Sequence, residues 1–522
     1  MRLRPILLLV CFFLLSADIF PQAQQSFLLR GEQSFKLTDG HVYYAMAGNF
    51  ERGFVLVSFN GNKEISIYHT DKDFKVLSVY TEPMKVGKYW RFEKILFFNE
   101  RFYLYFSDYN KAGKANNLIA REVLFDSGLK LDQPRNLLDI SLKKPDKFSS
   151  RFEIRTYPNG EISFLGGNGD YNPANDLLNV FDERLDKPVL TLNGIRSDGF
   201  YRNGAYYQFN PSLKDLKNPS NDVFFSFSNP TEGNKPEVLN KDEFDEMASG
   251  AHASSYTVNE YFDYKSGRLF VGGMLLENVN PEQQYNALGF YYIEYNPKDY
   301  SIVNKEYFLF SDKFIERCNR DMLETKNYLF KDYTRLGAYG VNLTHCFPKK
   351  NGGFYFVFSH TLVVSGGYSY EYKRGLVIAN TNHKNQLVSV NTIPMFQEGF
   401  DVGPNNLDPK VFFYNESLYV LFLDNVLNKS NMEAKYKYKI GSNPSSETGA
   451  WALFGVKVTE DLIGPKEILF SQKSLNSPVI PSGFSLDDEE GILFHEIRKP
   501  VSTATVIYLT SLQPFPVIIQ LK

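Results

Sequence analysis

Five carboxylates, Asp108, Asp170, Glu277, Asp424 and Glu496, each follow an apolar, strand-forming run of this chain. Two carboxyl groups flanking a glycosidic bond can cleave it, one as acid and the other as base or nucleophile. The spacing of these five sets no pair at a defined separation, so solvated loop carboxylates are the plainer reading. Asp108, Asp170 and Asp424 stand as the catalytic candidates.

Residues 168–176 read Asn-Gly-Asp-Tyr-Asn-Pro-Ala-Asn-Asp, with oxygen-bearing side chains at intervals of two. That interval suits a calcium loop and makes Asp170, Asn172 and Asp176 candidate ligands of a structural Ca²⁺. The segment lacks the central glycine and closing glutamate of an EF-hand loop, so an Asn/Asp-rich turn competes with it. No other cofactor is indicated.

Tyrosines mark the candidate binding surface. Tyr368, Tyr370 and Tyr372 follow Gly366-Gly367 in what reads as a flexible loop, and Tyr436 and Tyr438 alternate with lysines. Together with Tyr109, Tyr285 and Trp451 they offer rigid amphipathic area to a sugar or a protein. An extended ribbon, Tyr on one side and Lys on the other, is the alternative.

Two cysteines lie beyond the N-terminal segment, Cys318 and Cys346. In an oxidising compartment a disulfide between them would contribute about 3 kcal/mol. Two buried thiols are the competing reading. The seven histidines are scattered, with no His-x-His. There is no Gly-x-Ser-x-Gly, no phosphate-binding glycine loop and no His-Glu-x-x-His.

The elements that must position these residues recur along the chain. Eight strand cores follow turn-forming clusters: FVLVSF from Phe54, RFYLYF from Arg101, EISFL from Glu161, AYYQF from Ala205, RLFVGG from Arg268, FYFVF from Phe354, LYVLFL from Leu418 and ILFHEI from Ile492. A repeated hairpin unit cannot bury its own apolar face, so it must stack on its neighbours. The expected fold is all-β, a β-propeller of eight four-stranded blades, or seven if one hairpin is an insertion. Residues 27–37 are expected to close the ring against residues 505–521. Turns from first to second and from third to fourth strands are short, and the other connections are long, among them loops expected at residues 107–117 and 360–373. That arrangement concentrates the surplus chain on one face, where propellers usually bind. Short helices are expected in the connections, one after Ser311-Asp312 and one at residues 241–247.

Two units resemble kelch-type repeats: RLFVGG with FYYIEYNPKDYSI, and ISFLGG with LLNVFDERLDK. The chain as a whole is similar to bacterial secreted propellers. The resemblance implies the propeller fold.

Residues 1–23 read as a signal peptide, with Arg2 and Arg4 before a ten-residue apolar run at 6–15. Residues 24–522 then form a single domain, secreted or periplasmic, with no transmembrane segment after the signal is removed. A formal charge of −3 argues against general nucleic-acid binding. The expected function is non-catalytic binding of an envelope protein or glycan. A carbohydrate-active hydrolase or lyase, and a structural part of an envelope assembly, are the rivals.

Overall fold

The computed structural model describes residues 26–30, 37–38, 40–61, 63–84, 90–126, 128–141, 151–157, 159–167, 177–193, 200–202, 205–213, 223–228, 237–238, 251–253, 259–263, 268–277, 286–296, 302–323, 337–350, 352–366, 368–400, 408–429, 451–460, 462–471, 484–487, 492–495 and 518–522. They form eight antiparallel sheets, each built on a four-strand meander; the second and fifth carry one and two further short strands, and the eighth takes its fourth strand from the N-terminal end of the described residues. Numbered along the chain, the sheets begin at Val42, Arg91, Arg151, Phe200, Ala251, Val341, Lys410 and Phe484. All eight strand cores read from the sequence are second strands: Gly53–Asn60, Arg101–Asn110, Ile162–Gly167, Ala205–Leu213, Arg268–Glu277, Phe354–Gly366, Ser417–Asn425 and Ile492–His495. Aromatic and β-branched residues suit that position, because a second strand is covered on both faces and both edges.

The chain closes on itself as the sequence implied. Strand Phe27–Arg30 pairs antiparallel with Ile518–Leu521, Phe27 lying opposite Leu521, and becomes the outermost strand of the eighth sheet. The Ser26 amide donates to Glu467 Oε1 of the seventh sheet at 2.9 Å. The Phe27 ring lies where a Cβ on Gly455 would stand 2.6 Å from it, so only glycine fits there. Successive four-stranded meanders with the last sheet completed by the first strand are a β-propeller.

Adjacent sheets are joined by apolar layers. One layer links sheets five and six through Phe290, whose ring lies 4.8 Å from Phe356 and 5.0 Å from Phe358. Further layers join one to two, two to three, six to seven and seven to eight. Fully burying one such aromatic contributes about 1.5–3 kcal/mol, so these layers dominate the stability of the ring.

The short turns share one construction. Asp71 Oδ1 accepts from the amides of Asp73 and Lys75, both at 2.9 Å, and Phe74 takes φ 62°. Asn382 Oδ1 accepts from Lys384 and Gln386 at 2.9 and 3.0 Å, with Asn385 at φ 59°. Asp182 and Leu185, at φ 55°, repeat part of it. The first-to-second-strand turns at Asn99-Glu100 and Asn415-Glu416 also match, with all four residues at positive φ.

Three expectations need correction. Residues 107–117 are not a loop: strands Arg101–Asn110 and Ala115–Leu124 continue to a tight turn in which Asn110 Oδ1 accepts from Ala112 and Gly113. Residues 360–373 are likewise two strands of a long hairpin, Phe354–Gly366 and Tyr368–Thr381. The disulfide is not formed; Cys318 and Cys346 are buried unbridged in the same apolar layer. Burial pushes the Cys346 thiol well up, away from reactivity.

The helix after Ser311 is present as α1, Asp312–Leu323. The Phe314 amide donates to Ser311 Oγ at 3.3 Å, and Phe314, Ile315 and Cys318 enter the layer between sheets five and six. The second expected helix, at 241–247, lies outside the described residues, as does the signal segment.

Candidate functional site

In a meander, the ends of second and fourth strands lie on one side, together with the starts of first and third strands. That side carries the long connections. Among its described residues, a buried polar cluster lies at the junction of sheets six and seven.

Strand Tyr368–Thr381 meets a register shift between Lys373 and Gly375, and a second falls between His360 and Thr361 on its neighbour. The bulges bury His360, Lys373 and Arg374 at the root of the long hairpin. Lys373 Nζ donates to Asp408 Oδ1, on the connection entering sheet seven. Gln397 Nε2 donates to the Leu423 carbonyl, tying strand Leu387–Phe400 to Ser417–Asn425.

Asp424 follows directly. It is fully buried, and its Oδ1 accepts from the Asn425 amide and from Asn428 Nδ2, both at 2.8 Å. Lys466 Nζ, 3.5 Å from Asp424 Oδ2, lies over the Phe422 ring at 5.6 Å and donates to the Asn428 carbonyl at 3.4 Å. Burial pushes the Asp424 carboxyl up, while the Lys466 ammonium pulls it back. Burial also lowers the Lys466 ammonium, opposed by Asp424. This is a desolvated ion pair that fixes the short 3₁₀ turn Val426–Asn428, where the long excursion begins.

Asp424 is therefore enclosed, not a rim carboxylate open to substrate. Asp108 stands on the second sheet, half-buried and opposite Asn117, while Asp424 stands on the seventh. Tyr109 packs half-buried against the layer between sheets two and three. Tyr368 and Tyr370 fall at alternate register positions of the hairpin, Tyr370 opposite Val364 and Phe400. Trp451 begins its strand opposite Asn425. Glu277 ends the second strand of sheet five. Asp170, Asn172, Asp176, Tyr285, Tyr436, Tyr438 and Glu496 lie outside the described residues, so the calcium loop does too.

One constellation escaped the sequence. His41 Nδ1 and Ser58 Oγ share a hydrogen bond at 3.2 Å, and His41 Nε2 lies 3.5 Å from Glu64 Oε2. Serine, imidazole and carboxylate in line suggest acyl transfer. Ser58, however, is 0 % exposed, and a nucleophile must bring its oxygen within about 3–3.5 Å of a carbonyl carbon. The array pins the start of the first strand to its two neighbours. No local motif marks it, since the three residues are joined only by strand register.

No protein-family profile matches the chain, kelch included, and no curated protein sequence does. The glycines behind the kelch resemblance have packing reasons instead. A Cβ on Gly166 would stand 2.7 Å from Leu138, and one on Gly273 2.5 Å from the Tyr291 ring. Several solved structures are similar in fold. The β-propeller domain of the Trilobed protease from Pyrococcus furiosus is 11% identical over 81% of this chain and 94% of that one, with a TM-score of 0.32. A GH43 β-1,3-galactosidase is 12% identical over 77% and 96%, at 0.26. The haemagglutinin-neuraminidase of parainfluenza virus 5 is 10% identical over 71% and 94%, at 0.22. Likeness this distant carries no argument about activity; the propeller rests on sheet order and ring closure.

Proposed function

We propose that this chain is a non-catalytic binding propeller, a single exported domain that engages a protein or glycan of the cell envelope through its long-connection face. The observation that carries the reading is the hairpin of strands Phe354–Gly366 and Tyr368–Thr381. It extends past the sheet's first strand, and its root is held by the Lys373–Asp408 pair and the Gln397 bond. A rigidly rooted projection with tyrosines at alternate positions supplies contact area at low ordering cost. The enclosed Asp424 supports binding over hydrolysis, because a buried, paired carboxylate cannot meet a glycosidic oxygen.

The test replaces residues 362–372 with an Asn-Gly turn and compares capture of envelope material by wild type and variant. Capture should fall at least tenfold while the denaturation midpoint stays nearly constant. Undiminished capture would remove the hairpin from the reading. Turnover of a polysaccharide by wild type, lost in Asp108→Asn, would replace binding by hydrolysis.

A further inference from the structure

Past the inner strand of the sixth sheet, the second strand runs on alone. Val341 pairs with His360, and the Thr361 amide donates to the Gly340 carbonyl at 2.8 Å. Residues 362–366 then pair only with the returning strand, from Leu362 opposite Tyr372 to Gly366 opposite Tyr368. No strand among the described residues meets their other edge. At about 3.3 Å per residue this free edge is roughly 15–20 Å long.

The free edge differs from the outer edges of the eight sheets. Outermost strands offer the same unpaired N–H and C=O groups, and soluble proteins guard them with charge or proline. Here each outermost strand is so guarded: Arg30, Glu82 and Pro83, Arg135 and Asp139, Pro188, Glu237, Lys305 and Glu306, Pro394 and Glu398, and Glu467. Residues 361–366, Thr-Leu-Val-Val-Ser-Gly, contain no charge and no proline.

We propose that this edge pairs with the same edge of a second copy of the chain, antiparallel, so that two hairpins join in one continuous sheet. The segment can pair with itself about Val364. A two-fold axis there sets Val364 of one copy opposite Val364 of the other, Val363 opposite Ser365 and Leu362 opposite Gly366, with the Val363 and Ser365 backbone groups, which face this edge, exchanging the hydrogen bonds. β-Branched residues at the centre of an antiparallel pair are favourable, and no like charges meet across the axis. An acidic or basic foreign strand would find no counter-charge on this edge. A strand pair of this length is far smaller than the ~1,200–2,000 Å² of a standard interface, so the dimer is weak and concentration-dependent. It needs no ligand, and it stands or falls apart from the binding reading.

Sedimentation velocity of the purified mature protein, from about 1 to about 200 μM, tests it. Wild type should pass from monomer to dimer across that range. Val363→Lys and Val364→Lys should each move the midpoint at least tenfold upward with an unchanged melting profile. Should either variant fail to fold, the Asn-Gly replacement of residues 362–372 removes the edge entirely and should be monomeric throughout. A wild type that stays monomeric at the highest concentration overturns the proposal. So does a dimer that survives loss of the edge.

Discussion

Replacing Lys466 with Met should destabilise the protein far more than a surface charge would. Asp424 and Lys466 are 0 % and 3 % exposed, with 3.5 Å between the ammonium and Oδ2. At an effective dielectric near 20, that separation is worth roughly 5 kcal/mol of attraction. Met fills the space of the Lys stem, and Asp424 keeps the Asn425 and Asn428 hydrogen bonds, so part of the loss is offset. The expected net cost at pH 7 is about 3–5 kcal/mol, the range for a buried charge deprived of its partner. Asp424→Asn combined with Lys466→Met removes both charges and should recover most of it. The sign with pH follows from the raised Asp424 carboxyl. Without Lys466 it rises further, so the folded variant binds a proton that the unfolded chain releases above about pH 4. Lowering the pH from 7 towards 5 should therefore narrow the gap to wild type. Urea midpoints for wild type, single and double variants at both pH values read this directly. A single variant within 1 kcal/mol of wild type, or a gap that widens on acidification, would refute the reasoning.

Three further outcomes follow from local geometry. Lys114 sits exposed at φ 49° in the Asn110 turn, so Lys114→Gly should stabilise by about 1 kcal/mol in urea denaturation. Asp71→Ala and Asn382→Ala each remove an acceptor from two turn amides; both should cost about 1 kcal/mol, and a several-fold difference between them would deny the shared construction. Phe27→Ala should cost about 3–5 kcal/mol and raise hydrogen exchange at residues 518–521 first, because the ring seats the closing strand against Gly455.

The second strands were legible because aromatic and β-branched runs between turn formers have one use in a meander, and all eight took that position. Ring closure was legible in place: the pair of Phe27–Arg30 with Ile518–Leu521 falls within the spans 27–37 and 505–521 expected to meet. Helix α1 was legible from the spacing of Phe314, Ile315 and Cys318 after a serine cap. The hairpin at 360–373 was misread because Gly366-Gly367 suggested a loop, whereas cross-strand pairing, which is non-local, extended both strands to the turn. The burial of Asp424 was invisible for the same reason. Its partner Lys466 lies 42 residues away, beyond the next strand, and nothing local announces it. The cysteines share a layer without a bridge, since a disulfide depends on the relative aim of two Cβ atoms that sequence does not encode.

Hydrogen exchange of the mature protein with and without bound envelope material asks which face does the binding. Binding through the long-connection face predicts new protection at residues 107–116 and 361–373 and none at the turns 71–75, 182–186 and 382–386. Protection confined to those turns would place the partner on the opposite face and contradict the proposed function.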